Sequence, residues 1–270
     1  MDVIEIGSPF WETEDLQNKF DEFALIYSKA PIKDNVGGMK APHAFACWFM
    51  LKMLQPKTII ESGVWKGQGT WLLEQACPSA DIICLDINLG NLIYRSPKAT
   101  YIEKDFSLVD FGDIDKNTTL CFFDDHQSAI DRLCQMKWKG FNKAIFEDNY
   151  PTKRGDCYSL KKCFSNTGFE NEKFSQKGFK GVAKQLLKSL MKHSSENNIE
   201  ANNTHSRELM QNLKLYYEFP PLFKESKTRW GDEWDDLDYP TKKPIFDSNY
   251  THVLRREALE YTWMCLVELS

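Results

Sequence analysis

The sequence lacks the features that would send it out of the cell or into a bilayer. Its opening, Met1-Asp2-Val3-Ile4-Glu5, has neither the basic stretch nor the apolar segment of a secretory leader. No apolar run approaches the ~18 residues that a membrane-spanning helix requires. A cytoplasmic, soluble chain with no membrane partner is the expectation. None of the eight cysteines forms a C-x-x-C pair. Free buried thiols are therefore expected over a zinc site or a disulfide framework. Excess positive charge is missing too: the formal net charge is -5, which gives no general attraction to nucleic acid or anionic lipid. No internal repeat is present.

What is there suffices for a core. Of 270 residues, 42% are hydrophobic and 13% aromatic, enough for one large core or a core with an elaborated insert. Residues 1–56 read as a helical extension. Asp15 to Ser28 carries Leu16, Phe20, Phe23, Ala24 and Tyr27 at helical spacing. After the loop Asn35-Val36-Gly37-Gly38, a second helix opens at Pro42 and stops before Pro56. Residues 57–150 alternate apolar strands (Thr58–Glu61, Asp81–Asp86, Ala99–Glu103, Leu120–Phe123, Lys143–Glu147) with helices over Gly69–Gln75 and His126–Gln135. That rhythm implies an α/β fold with a mostly parallel sheet covered on both faces. Residues 151–250 break the rhythm and read as an insertion, a candidate lid or substrate-selecting element. Residues 251–270, apolar from Leu259 to Leu269, read as the closing part of the sheet.

The densest signal follows the first strand. Glu61-Ser62-Gly63-Val64-Trp65-Lys66-Gly67-Gln68-Gly69 puts three glycines between a strand and a helix. Glycines allow a sharp turn and close approach to a ligand, and the helix start offers unpaired N–H groups. The spacing is E-x-G-x-x-x-G-x-G, not the dinucleotide fingerprint G-x-G-x-x-G. Asp86 ends the second strand, where a carboxylate can accept ribose hydroxyl protons. Asp105 and Phe106 follow the third.

This order of residues resembles class I S-adenosylmethionine-dependent methyltransferases over about residues 57–150. The resemblance implies a Rossmann-like methyltransferase fold with S-adenosylmethionine as cofactor. In its terms Glu61 holds the methionine ammonium directly or through water. Gly63, Gly67 and Gly69 pass beneath the sugar and amino-acid portion, and Asp86 takes the ribose. Asp105 meets the adenine amino group, with Phe106 as a ring neighbour.

Two carboxylate clusters follow strands four and five: Asp124-Asp125-His126 and Glu147-Asp148-Asn149. Adjacent strands would bring both to one rim, and converging hard oxygen ligands suit Mg²⁺ or Ca²⁺. Asp125-His126 and Asp148-Asn149 resemble the metal-dependent O-methyltransferases of the catechol type, which implies Asp125, Asp148 and Asn149 as ligands. The cephalosporin-hydroxylase-like group implies Asp125, Glu147 and Asp148 instead, and both sets stay open. The catechol-type lysine is replaced by Ser128, so any general base is another group such as His126. Helix capping is the bland role for Asp124 or Asp125.

O-methylation of a small-molecule hydroxyl is the expected activity. A metal-assisted hydroxylase-like or oxidoreductase-like enzyme on the same scaffold, or a non-catalytic S-adenosylmethionine-binding protein, stays open beside it. The place after strand four holds no N-P-P-Y-type motif, which speaks against methylation of nucleic-acid bases. Lys173, Lys177, Lys180, Lys184, Lys188 and Lys192 recur at helical spacing, either as a solvated face or as a site for an anionic acceptor. Arg229 to Asp236, with Trp230 and Trp234, reads as a pocket wall or as a loop packing two aromatics on the core.

Overall fold

A computed structural model describes residues 3–165, 206–247 and 252–270. The lysine stripe from Lys173 to Lys192, the helix expected over 178–192 and the polar stretch 194–203 lie outside the described residues.

Seven strands form one sheet: β1 (Thr58–Ser62), β2 (Asp81–Leu85), β3 (Ala99–Ile102), β4 (Thr119–Phe123), β5 (Lys143–Phe146), β6 (Leu213–Glu218) and β7 (Cys265–Leu269). Their spatial order is β3-β2-β1-β4-β5-β7-β6. The pairs among β1 to β5 are parallel, and β7 runs antiparallel to both β5 and β6. This is the doubly wound, Rossmann-like order with one antiparallel strand inserted near its edge, and it is the α/β arrangement expected of the class I methyltransferase fold. The span 151–250 is more than an appended insertion, because it supplies β6 to the sheet.

Two apolar layers sandwich the sheet because strand side chains alternate in direction. Ile59 of β1, Leu120 and Phe122 of β4 and Ile145 of β5 face one layer. Ile60, Cys121, Phe123, Ala144 and Phe146 face the other. Helices α1 (Thr13–Tyr27), α2 (Ala41–Leu54) and α3 (Gln68–Ala76) cover the first layer. Every residue of α2 from Ala41 through Leu51 is buried, as befits a helix apolar all round and enclosed between neighbours. The amphipathic α1 then packs Leu16, Phe20 and Phe23 inward. Helices α4 (Ala129–Trp138) and α5 (Leu160–Phe164) contribute Leu133, Met136, Leu160 and Phe164 to the second layer.

Helix α4 begins three residues later than its pattern suggests. Ser128 caps it by accepting from Asp131 N at 3.3 Å, and neither Asp124 nor Asp125 serves as the cap. His126 precedes it in left-handed backbone conformation, φ 53°. All eight cysteines are free, and all but Cys134 are buried. Among the described residues no helix is long and apolar enough to cross a membrane.

Candidate functional site

β1 lies between β2 and β4, where the chain's winding direction reverses. In open α/β sheets ligands bind beyond the strand ends at such a point. The glycine turn follows β1 there. Gly63 and Gly67 have φ of 93° and 90°, a region closed to most side chains. Their close neighbours are protein backbone: a Cβ on Gly63 would overlap the Asp124 carbonyl, and one on Gly67 the Tyr94 carbonyl. A Cβ on Gly69 would overlap Glu61 Oε1. The three glycines therefore bring β1, β4 and the Glu61 carboxylate close together.

Glu61 is fully buried. Its Oε2 accepts from Thr70 Oγ1 at 2.5 Å and Cys84 Sγ at 3.2 Å, while Oε1 has no partner. Burial pushes its carboxyl up to about 7, against the pull of those two bonds. A shallow cleft opens beside it, lined among others by Asn35, Gly63, Gln68, Gly69 and Asp124. Asn35 Oδ1 and Gln68 Oε1 are also buried and unpartnered. The Asn35 amide is oriented by its bond from Nδ2 to Met39 O at 3.1 Å. Three residues that line one cleft thus each carry a buried acceptor oxygen without a donor, a costly arrangement unless N–H groups meet them.

The other expected cofactor residues are placed differently from one another. Asp86 sits at the end of β2 and accepts from Val64 N, Trp65 N and Asn88 N at 2.9, 3.1 and 2.9 Å. A carboxylate has about four lone-pair sites, so it has room for one ribose hydroxyl and not two. Asp105 is held by Arg132, Ser107 N and Ser107 Oγ, with Arg132 Nη2 2.6 Å from Oδ2. Burial works against its charge, but these bonds hold the carboxyl down at about 2. Three of these bonds fall on Oδ1 and one on Oδ2, so Oδ2 alone keeps a lone-pair site for a further donor. Phe106 is fully buried and packs against Phe111, Phe123 and Phe141, so it belongs to the core and does not line the cleft.

The metal set expected from the sequence is not assembled as a set. Asp125 Oδ2 accepts from Ser62 Oγ at 2.5 Å and from Arg132 Nε at 2.9 Å, which occupies it on the α4 side of the sheet. Burial still raises its carboxyl above the usual range despite Arg132. Asn149 is fully buried. Its Nδ2 donates to Tyr216 Oη and Trp263 O at 2.9 and 3.0 Å, and its Oδ1 accepts from Lys161 N at 3.0 Å. It ties β5 to the C-terminal segment and offers nothing to an ion. Glu147 turns toward α2, where its carboxylate lies against Nδ1 of the buried His43. Burial lowers His43 to about 3.

Asp148 does reach the rim, and Asp124 and His126 join it. Ligand atoms of the three lie within 4.8 Å of one another. His126 Nδ1 stands 3.0 Å from both Asp148 Oδ2 and Asp156 Oδ1, and these two contacts push the imidazole up to about 12. Burial, then the Glu147 charge, raises Asp148 to about 6. Burial and the charges of Glu147 and Asp148 raise Asp124 well above the usual range. Three carboxyl groups, of Asp124, Asp148 and Asp156, thus converge on one imidazole. Asp124 also lines the cleft beside Glu61, so cleft and rim are continuous. The tract at 229–236 packs its two aromatics on the core, with Trp234 buried and Trp230 stacked on Trp263 at 6.1 Å with planes 8° apart, while Gly231, Glu233, Asp235 and Asp236 are exposed.

Sequence reasoning missed Asn35, Gln68, Arg132, Asp156 and Cys157. Asp156-Cys157 directly after Gly155 carried a signal, a ligand-capable pair behind a turn residue. Arg132 inside an amphipathic helix carried none.

No family model and no curated protein matches the sequence. Solved structures do match at low identity. The O-methyltransferase TomG from Streptomyces achromogenes, in complex with SAM, is 10% identical, with 78% of this chain and 85% of that one covered and a TM-score of 0.39. An SAH-bound methyltransferase from Podospora anserina is 13% identical, with 80% and 95% covered and a TM-score of 0.38. A methyltransferase from Geobacter sulfurreducens is 12% identical, with 52% and 71% covered and a TM-score of 0.34. Likenesses this distant leave what the chain does to be read from its own residues.

Proposed function

We propose that this chain is an S-adenosylmethionine-dependent methyltransferase acting on a hydroxyl of a small molecule, with a divalent cation at the rim. The observation that carries the reading is the set of unpartnered buried oxygens, Asn35 Oδ1, Glu61 Oε1 and Gln68 Oε1, around the glycine turn. Three acceptors, one on a carboxylate, complement an ammonium group with its three N–H donors. S-adenosylmethionine carries such an ammonium and, when bound, supplies an electrophilic methyl group on a sulfonium.

The chain's own residues would divide the work. Glu61, Asn35 and Gln68 bind the amino-acid end, and Asp86 adds one contact to the ribose while its other lone pairs fix the turn. Gly63, Gly67 and Gly69 let these groups converge. Asp124 stands on the cleft side of this rim, and His126 and Asp148 beside it are donors of a type that would hold a cation. A cation held there would lower the pKa of a bound hydroxyl. Without one, His126 is a fixed imidazolium between two carboxylates and cannot take the hydroxyl proton. Asp105 and Asp125 act through Arg132 as positioning residues for β4 and α4.

Thermal shift tests the reading. S-adenosylmethionine and S-adenosylhomocysteine each raise the melting temperature, by about 2.7 kcal/mol of linkage at a hundredfold excess over Kd. NAD does not. No shift with either adenosyl ligand at millimolar concentration overturns the proposal.

A further inference from the structure

The rim offers a cation more than oxygen. A second group of ligand-capable side chains, Asp148, Asp156 and Cys157, has its atoms within 4.8 Å of one another and shares Asp148 with the first. His126 Nδ1 links the two groups at 3.0 Å from Asp156 Oδ1 and from Asp148 Oδ2. Two ligands of one ion, each about 2.0–2.3 Å from it, stand at most about 4.5 Å apart. The separations from Asp148 to its neighbours approach that limit, whereas His126 and Cys157 fall in different groups, so ligation by both requires these two side chains to draw together.

Asp148 marks the centre of this arrangement. Its side chain is 7% exposed and its Oδ1 has no hydrogen-bond partner. Cys157 is buried, and its thiol donates to the Asp148 carbonyl at a long 3.5 Å. Gly155 places the pair Asp156-Cys157 here: its φ is 70°, and a Cβ would run into the Tyr150 ring. The loop after β5 therefore folds back on itself and returns Cys157 to Asp148.

The donor chemistry narrows the ion. Mg²⁺ and Ca²⁺ take six or more oxygens, and Mg²⁺ retains its waters. Imidazole and thiolate instead select borderline first-row ions. Resting on the reading that this rim holds a cation, we propose that the ion is a transition-metal dication of the Zn²⁺ or Co²⁺ type, held by His126, Asp148, Asp156 and Cys157. Coordination would displace both the Cys157 thiol proton and the His126 Nδ1 proton, and both would leave to solvent. Asp124 stays on the cleft side, free to face the bound acceptor.

Co²⁺ titration of the metal-stripped full chain, followed by absorbance, tests this. One equivalent produces visible d–d bands together with a near-ultraviolet thiolate-to-cobalt charge-transfer band. Zn²⁺ abolishes both, and excess Mg²⁺ or Ca²⁺ does not. Cys157→Ser loses the charge-transfer band and keeps d–d bands. Asp148→Asn, checked as folded by circular dichroism, loses both. Cys134→Ser, which removes the one exposed thiol, changes neither. Visible bands without the charge-transfer component, its loss with Cys134, or displacement of Co²⁺ by Mg²⁺ overturn the transition-metal assignment and leave an oxygen-ligated cation standing. No binding of Co²⁺, Zn²⁺, Mg²⁺ or Ca²⁺ in equilibrium dialysis overturns the cation reading itself, and leaves ammonium recognition by Glu61 to its own test.

Discussion

Replacing Glu61 by Gln probes the cleft most sharply, because the effect on stability reverses with ligand. Glu61 is fully buried with one oxygen unpartnered, and burial raises its carboxyl from 4.5 to about 7. A carboxyl raised in the folded state is protonated in both states below the unfolded value, so it then carries no penalty. As pH climbs from about 4.5 toward 7 the unfolded chain ionises first, and stability is lost. The difference between the two values corresponds to about 3 kcal/mol once the pH is above 7. At ~2–4 °C per kcal/mol for a chain near this size, that is on the order of 6 °C or more. Glu61→Gln cannot ionise and escapes the loss, less about 1 kcal/mol for the weakened Thr70 and Cys84 bonds. Melting curves between pH 4.5 and 8 should therefore diverge, with the variant gaining on the wild type as pH rises. S-adenosylhomocysteine should restore the wild type at pH 8 and leave the variant nearly unmoved, because an ammonium at Oε1 stabilises the carboxylate. Parallel pH curves for the two proteins, or equal stabilisation by the ligand, would refute the reasoning.

Gly69→Ala introduces a methyl that overlaps Glu61 Oε1 at a residue whose φ is not left-handed, so S-adenosylhomocysteine affinity in calorimetry should fall tenfold or more; unchanged affinity would count against Glu61 as the ammonium site. Arg132→Met leaves Asp105 and Asp125 with no shared cation and should cost about 3–5 kcal/mol in urea unfolding; a loss below about 1 kcal/mol would show that the pairs are not coupled to folding. Asn149→Leu removes three buried hydrogen bonds and should cost a few kcal/mol, while the folded fraction binds cations with unchanged affinity in equilibrium dialysis; a weakened cation affinity would return Asn149 to the ligand set.

Much of the core was legible because its signals are local. Five parallel strands, the first two helices and the glycine turn rest on apolar runs, Pro42 and glycine spacing. β6 was not read: Leu213-Lys214-Leu215-Tyr216-Tyr217-Glu218 is strand-like, but it lies in polar surroundings far from its sheet neighbours. The choice between Asp124 and Asp125 depended on which sheet face each would meet. Asp125 follows the parity of Cys121 and Phe123 toward α4 and Arg132, and Asp124 follows Phe122. Glu147 likewise follows Ile145 toward His43 on α2, and Asp148 follows Phe146. Alternation is visible in a sequence, but the partner waiting on each face is set by distant elements. The same reason hid Asn35 and Gln68, whose amides acquire meaning only when α2, α3 and β1 enclose them beside Glu61.

Titration calorimetry with S-adenosylhomocysteine tests the central claim most directly. The account predicts saturable binding at one site per chain, weakened at least tenfold, or about 1.4 kcal/mol, in Glu61→Gln at neutral pH. No heat of binding at millimolar ligand, or equal affinity for wild type and variant, would contradict it.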